Sequence, residues 1–225
     1  MSIRPIRILI INPNTNPAVT QQMKQAASAV ASSGTEVVAV NPVEGPFSIE
    51  SRDDRDRAEV QLLTLVAEQQ HQGFDAYVLA CFDDIALDNL RALTGAPVVG
   101  MFEAGVAAAR TLASRFSIVT TVHAAVPTIE ALLGQYGASG ICRVRAAGIG
   151  VAAAAGSGQE AERKIAEAIR DSVEQDAAQA ILLGSGGLTG RAAALEQAFS
   201  LPVIDGVVAA VKMAEGVAHM RLMKG

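Results

Sequence analysis

The 225-residue chain has no tryptophan, and its two tyrosines and six phenylalanines make it only 4% aromatic. That excludes a surface built on aromatic stacking, as single-strand nucleic-acid binders use. Basic residues are outnumbered, 18 Lys and Arg against 23 Asp and Glu, for a formal net charge of -5. A broad phosphate-binding footprint is therefore not expected, and no nucleic-acid partner, although a local anion pocket stays open. Cysteine is scarce too: Cys81 and Cys142 make neither a disulfide framework nor a Cys-rich metal motif. The three histidines form no H-E-x-x-H pair and no Asp-rich loop accompanies them, so no metal is expected. A phosphate-cradling GxxxxGK[ST] element is missing as well. No apolar run reaches ~18 residues, so no membrane span is expected. The opening MSIRPIRILIINPNT has a short apolar run without a small-residue cleavage site, and reads as a strand rather than a signal peptide. The expected setting is cytoplasmic and reducing.

What is present is core material in a regular order. Half of the residues are hydrophobic, enough for one large domain or two small intertwined ones. The runs IRILII (6–11), TEVVAV (35–40), DAYVLA (75–80), PVVGM (97–101), FSIVT (116–120), AILL (180–183) and Val203–Ile204 read as strands. Between them lie helical patterns at 17–31, 52–70, 87–93, 104–113, 127–135, 160–176, 191–199 and 207–222. Asn16 is placed to cap the first of these, with Pro17 at its first position. Residues 41–51 (NPVEGPFSIES) are a loop, and the glycine- and alanine-rich stretch 142–158 reads as a strand and a long loop. Strand–helix alternation of this kind predicts a parallel α/β fold with helices on both faces. A weak internal echo runs through it. A polar strand tip, a helix with an early proline, and a strand ending in a small nucleophilic residue occur twice, ending at Cys81 and at Ser185.

Ligands of open parallel sheets gather beyond the C-terminal strand ends. Four tips qualify: Asn12–Thr15, Cys81–Asp84, Thr120–His123 and Gly184–Gly187. Cys81 is either a small buried hydrophobe or a site thiol, and the carboxylates of Asp83 and Asp84 would raise its pKa if they point inward. Ser185 sits in LLGSGG, which lacks the G-x-S-x-G spacing of a nucleophile elbow. The glycines there either make a tight turn or aim N–H groups at an anionic oxygen. His71 reads as a solvated helix end and His219, in the last helix, is not expected to be a ligand; His123 follows a strand tip and can reach a site or cap a loop. The RDDRDR run at 52–57 reads as a solvated helix start from which Arg52 or Arg55 can fold over a substrate.

Together these segments resemble the aspartate/glutamate/hydantoin racemase superfamily, most closely its hydantoin and allantoin racemase branch. The resemblance rests on INPNT (11–15), GPFSIES (45–51), DAYVLACFDD (75–84), PVVGMFEA (97–104), RFSIVTT (115–121), the VR pair at 144–145, LLGSGG (182–187) and PVIDGVVAAVKMAE (202–215). It implies two similar α/β lobes related by a pseudo-twofold, with parallel sheets flanked by helices and the active site in the cleft between lobes. One lobe is expected over 1–97 completed by 207–225, the other over 98–206. It also implies two cysteines working on opposite faces of a substrate carbon, without cofactor or metal. Cys81 matches the first; the second position is occupied by Ser185, and Cys142 is not its substitute. The chain is thus expected to be a racemase of a cyclic ureide, a 5-substituted hydantoin or allantoin, present as a Cys-to-Ser variant and impaired in its two-base cycle. The alternatives are a single-thiol decarboxylase-like or isomerase-like member and a non-catalytic small-molecule binding module. Substrate contacts are expected from Asn12, Pro13, Ser48, Ile49, Phe82, Asp83, Thr120, Thr121, His123, Gly184, Gly186 and Gly187. The alanine-rich helices at 104–113 and 207–218 suggest apolar surface for packing between subunits of a homo-oligomer, a dimer or higher even assembly.

Overall fold

A computed structural model describes residues 4–156 and 158–222. Residues 1–3 and 223–225 of the expected first lobe, and Ser157 of the 142–158 stretch, lie outside the described residues. The expected alternation becomes two parallel sheets. In the first, β1 (Ile6–Ile11), β2 (Thr35–Val40), β3 (Ala76–Leu79) and β4 (Val98–Gly100) are ordered β2-β1-β3-β4. In the second, β5 (Phe116–Thr120), β6 (Cys142–Ala146), β7 (Ile181–Leu183) and β8 (Val203–Asp205) are ordered β6-β5-β7-β8. The same winding occurs twice, which gives the internal echo a structural form. Strands β1, β3, β5 and β7 are buried almost throughout, because helices cover both sheet faces.

The helices are α1 (Pro17–Val30), α2 (Arg52–Gln69), α3 (Leu87–Leu93), α4 (Met101–Leu112), α5 (Val126–Gln135), α6 (Val151–Ala155), α7 (Gln159–Asp176), α8 (Ala192–Phe199) and α9 (Gly206–Leu222). Local rules act as expected at α1: the Asn16 side chain accepts the Ala18 N–H and Pro17 opens the helix. The expected long loop after β6 is corrected by α6. Its VAAAA run needs few contacts to become helical, and it buries Val151 and Ala154 against the single turn at Gly186–Leu188.

Two helices cross between the halves. Helix α4 follows β4 in the chain yet packs on α9 and also touches β7 and β8, while α9 packs on β1, β3 and β4. Their shared seam buries Ala104, Val106, Ala109, Val207, Ala210, Val211, Ala214 and Ala218. Apolar surface expected between subunits is therefore used inside the chain. The expected boundary after residue 97 also shifts, since β4 pairs with β3 in the register Tyr77↔Val98 and so belongs to the first sheet. Among the described residues, no helix is long and apolar enough to cross a membrane.

Candidate active site

Backbone register places the two expected catalytic residues equivalently. The Ala80 N–H donates to the Ile11 carbonyl at 2.9 Å, and the Gly184 N–H donates to the Val119 carbonyl at 2.8 Å. Cys81 and Ser185 are the next residues in each case. Both stand where strand order reverses, beyond β1/β3 and β5/β7, the place where ligands collect in open parallel sheets. Both line one cavity of about 490 Å³, a size suited to a small molecule.

Of the expected contacts, Asn12, Pro13, Ile49, Phe82, Asp83, Thr120, Gly184 and Gly186 reach the cavity wall. Ser48, Thr121, His123 and Gly187 do not, and each has a different task. The Ser48 hydroxyl donates to Glu50 Oε1 at 3.0 Å. Thr121 lies behind the wall, its Oγ1 3.4 Å from Ser185 Oγ. The Gly187 N–H donates to Ser185 Oγ at 3.3 Å. His123 opens a single helical turn on the exposed surface, with its ring over Gly148.

Asn12 is held by its own loop. It is 1% exposed, and its amide donates to Asn14 Oδ1 (2.9 Å) and Thr20 Oγ1 (3.0 Å). Its own oxygen accepts the Asn14 N–H at 3.2 Å. Asn14 and Asn16 repeat this last bond two residues on, to the N–H groups of Asn16 and Ala18. Three successive Asx turns thus fix the loop after β1 and engage the Asn12 amide, while Asn12 remains part of the cavity wall. Asn14, part of the expected Asn12–Thr15 tip but not among the expected substrate contacts, lines the cavity, and its Nδ2 has no partner among the described residues. The alternate asparagines of NPNTN were the available signal. Arg52 and Arg55 of the charged run do reach the wall, joined by Glu50, Met23, Thr128, Ile129 and Val151.

The first half of the site is rich in carboxylates. The Cys81 thiol donates to Asp83 Oδ1 at 2.8 Å, and Asp83 is ion-paired with Arg55 from α2. Burial pushes the Cys81 thiol well up from its ordinary value, and the charge and hydrogen bond of Asp83 push it further; the Asp83 N–H works the other way. Asp84 is buried with φ +45°, and its carboxylate accepts the Phe102 and Glu103 N–H groups at 3.1 Å each, capping α4. It occupies the space that a side chain at Gly100 would need. The second half solves the same problem differently. There the register Leu183↔Asp205 puts a carboxylate where Leu79↔Gly100 has none. Asp205 accepts the Val207 N–H (2.9 Å) at the start of α9 and the Gly190 N–H (2.7 Å). Each loop that follows a site residue is thereby tied to the start of a crossing helix.

The halves also meet directly over the cavity. Glu50 Oε1 accepts the Val151 N–H at 2.9 Å, joining the 41–51 loop to α6. A Cβ at Gly184 would lie 2.5 Å from Ile118 Cγ2 and 3.3 Å from Phe82 Cε1, so only glycine lets these strand tips approach.

Duplicated parallel α/β halves, with a thiol and a hydroxyl at matched strand ends on one cavity, define a two-lobed α/β protein with a small-molecule site between its halves. The Asp/Glu/Hydantoin racemase family model matches residues 8–214, and the chain belongs to that family. A hydantoin racemase from Rhizobium meliloti is 41% identical, over 93% of this chain and 88% of that protein. Among solved structures, an allantoin racemase from Klebsiella pneumoniae is 40% identical with a TM-score of 0.93, covering 96% of this chain and 89% of its own. An allantoin racemase from Pseudomonas fluorescens is 34% identical with a TM-score of 0.91, covering 96% and 92%.

Proposed function

We propose that the site acts on a five-membered cyclic ureide, a 5-substituted hydantoin or allantoin, by proton transfer at the ring carbon that bears the substituent. The observation that carries the reading is the register match of Cys81 and Ser185 on one cavity. The activities of the relatives named above support the substrate class. In this reading Cys81 serves one face of the ring carbon, and Ser185 stands where a second thiol would serve the other. A serine hydroxyl ionises far less readily than a thiol of ordinary pKa ~8.5, and each pKa unit is worth about 1.36 kcal/mol. Ser185 therefore does not act as the second base, and the two-base cycle is impaired.

The test is the variant Ser185→Cys, which should raise racemisation of a 5-substituted hydantoin or allantoin by at least ~100-fold, the lower end for a positioned acid or base. The unaltered protein should exchange the ring hydrogen with deuterated water for one enantiomer only, the one presenting it to Cys81. Optical rotation and deuterium uptake, followed for both enantiomers, measure the two effects. If the variant does not racemise and neither protein exchanges hydrogen with any hydantoin or allantoin tested, the ureide proposal falls to a single-thiol or non-catalytic reading.

A further inference from the structure

We propose that Asp83, held by Arg55, is the proton acceptor of the Cys81 thiol, making the Cys81 side a two-step proton relay. This rests on the ureide reading above and goes beyond it by giving the proton a destination. The direct observation is the 2.8 Å Sγ–Oδ1 hydrogen bond. The ion pair to Arg55 then fixes the other carboxylate oxygen, Oδ2, from α2. Asp83 Oδ1 is thus left to the sulfur.

The other charged groups near the sulfur do not compete for this role. Asp84 on the same loop is engaged by the N–H groups of α4, and Glu50 by Ser48 and Val151. Arg52, Arg55 and Asp56 line the cavity from α2. A second observation comes from the duplication. Counting from the matched pair Cys81 and Ser185, the partner of Asp83 is Gly187, which offers an N–H donor and no acceptor side chain. Only the half that carries the thiol has a carboxylate at this place.

In the first step the S–H bond breaks, its electron pair stays on sulfur, and the proton bonds to Asp83 Oδ1. This leaves a thiolate beside a neutral carboxylic acid. In the second step the thiolate takes the ring-carbon proton, and the C–H electron pair passes into the adjacent carbonyl as an enolate. Cys81 is again a thiol, and one proton has moved from carbon to Asp83. The reverse sequence returns it.

The variants Asp83→Asn and Asp83→Glu test this with two readouts. The first needs no substrate: the pH profile of iodoacetamide labelling at Cys81, by peptide mapping, with buried Cys142 as comparator. Losing the carboxylate's charge and hydrogen bond should speed labelling of Cys81 about tenfold at a fixed pH below its titration, equivalent to one pKa unit. The second is deuterium exchange at the ring carbon of a 5-substituted hydantoin. It should fall at least ~100-fold in Asp83→Asn, the loss expected on removing a proton acceptor, and recover at least in part in Asp83→Glu. Opposite movement of the two readouts supports the relay. If Asp83→Asn speeds both, the carboxylate only suppresses the thiolate, and the proposal is overturned. An unchanged labelling profile overturns it as well. If Ser185→Cys does not racemise and neither protein exchanges either enantiomer, the ureide reading falls and the relay with it, whereas exchange that Asp83→Asn fails to slow overturns the relay alone.

Discussion

Replacing Asp84 by asparagine removes one buried charge and keeps the side-chain shape. Burial lifts this carboxyl from 3.8 to about 7; the Phe102 and Glu103 N–H groups pull it back, and the charges of Glu103 and Asp83 add to the rise. At about 1.36 kcal/mol per pH unit, the rise corresponds to about 4 kcal/mol between the protonation states. Native chains hold this proton up to about pH 7, whereas unfolded chains release it near pH 4. Asp84 therefore costs stability progressively as pH rises from about 4 to about 7, and no more beyond. Asparagine cannot ionise. Its amide oxygen accepts only one of the two α4 N–H groups well, which adds a penalty that does not depend on pH. The stability of Asp84→Asn minus that of the unaltered chain should thus climb by about 4 kcal/mol from pH 4 to pH 8. Against a typical total of about 5–15 kcal/mol the change is large. Urea unfolding at a series of pH values measures it. Taking the difference cancels Asp54, Asp75 and Glu215, whose lowered pKa values make them lose stability as pH falls. A difference that stays flat would show that the α4 N–H groups hold Asp84 near its ordinary value and that burial does not dominate.

Two further outcomes follow from packing. Gly184→Ala places a methyl 2.5 Å from Ile118 Cγ2, and should destabilise the chain by about 1–3 kcal/mol in urea unfolding. Because Phe82 must also give way, ligand affinity should fall with it; unchanged stability would mean that the strand tips part freely. Glu50→Ala removes the acceptor of the Val151 N–H, so protection of that amide from hydrogen exchange should drop selectively, with β1 amides unaffected.

Much of the architecture was legible because its causes are local. Short β-branched runs separated by capped helices specify a parallel α/β chain, and Asn16 with Pro17 marks the start of α1 correctly. The crossing of α4 and α9 left only an ambiguous trace, alanine-rich helices that suit a subunit seam and an internal one equally. The boundary after residue 97 was misplaced because a three-residue strand such as β4 carries too little periodicity to reveal its pairing. At the site, strand-end logic located Cys81, Ser185 and Thr120 on one cavity. It could not tell which polar side chains were free. The Asn12 amide N–H groups are engaged within its own loop, and the outward placement of His123 depends on a turn that no spacing rule fixes.

The two halves of the site share a backbone and differ in electrostatics, and that difference bears on how a restored pair would behave. Beside Cys81 lie a carboxylate acceptor and the buried Asp84, both of which favour the protonated thiol. Beside Ser185 lie the Gly187 N–H, a donor, and the Thr121 hydroxyl, which can donate as well. Donors of that kind favour a thiolate. In the variant Ser185→Cys the surroundings would therefore bias the two sulfurs in opposite directions, Cys81 toward the thiol and the new sulfur toward the thiolate. A two-base racemase needs that starting condition, since one face must take a proton while the other gives one. In the proposed two-base reading, serine at 185 thus stands where the surroundings favour an anion, and Cys81 is the side that calls on Asp83 to receive a proton.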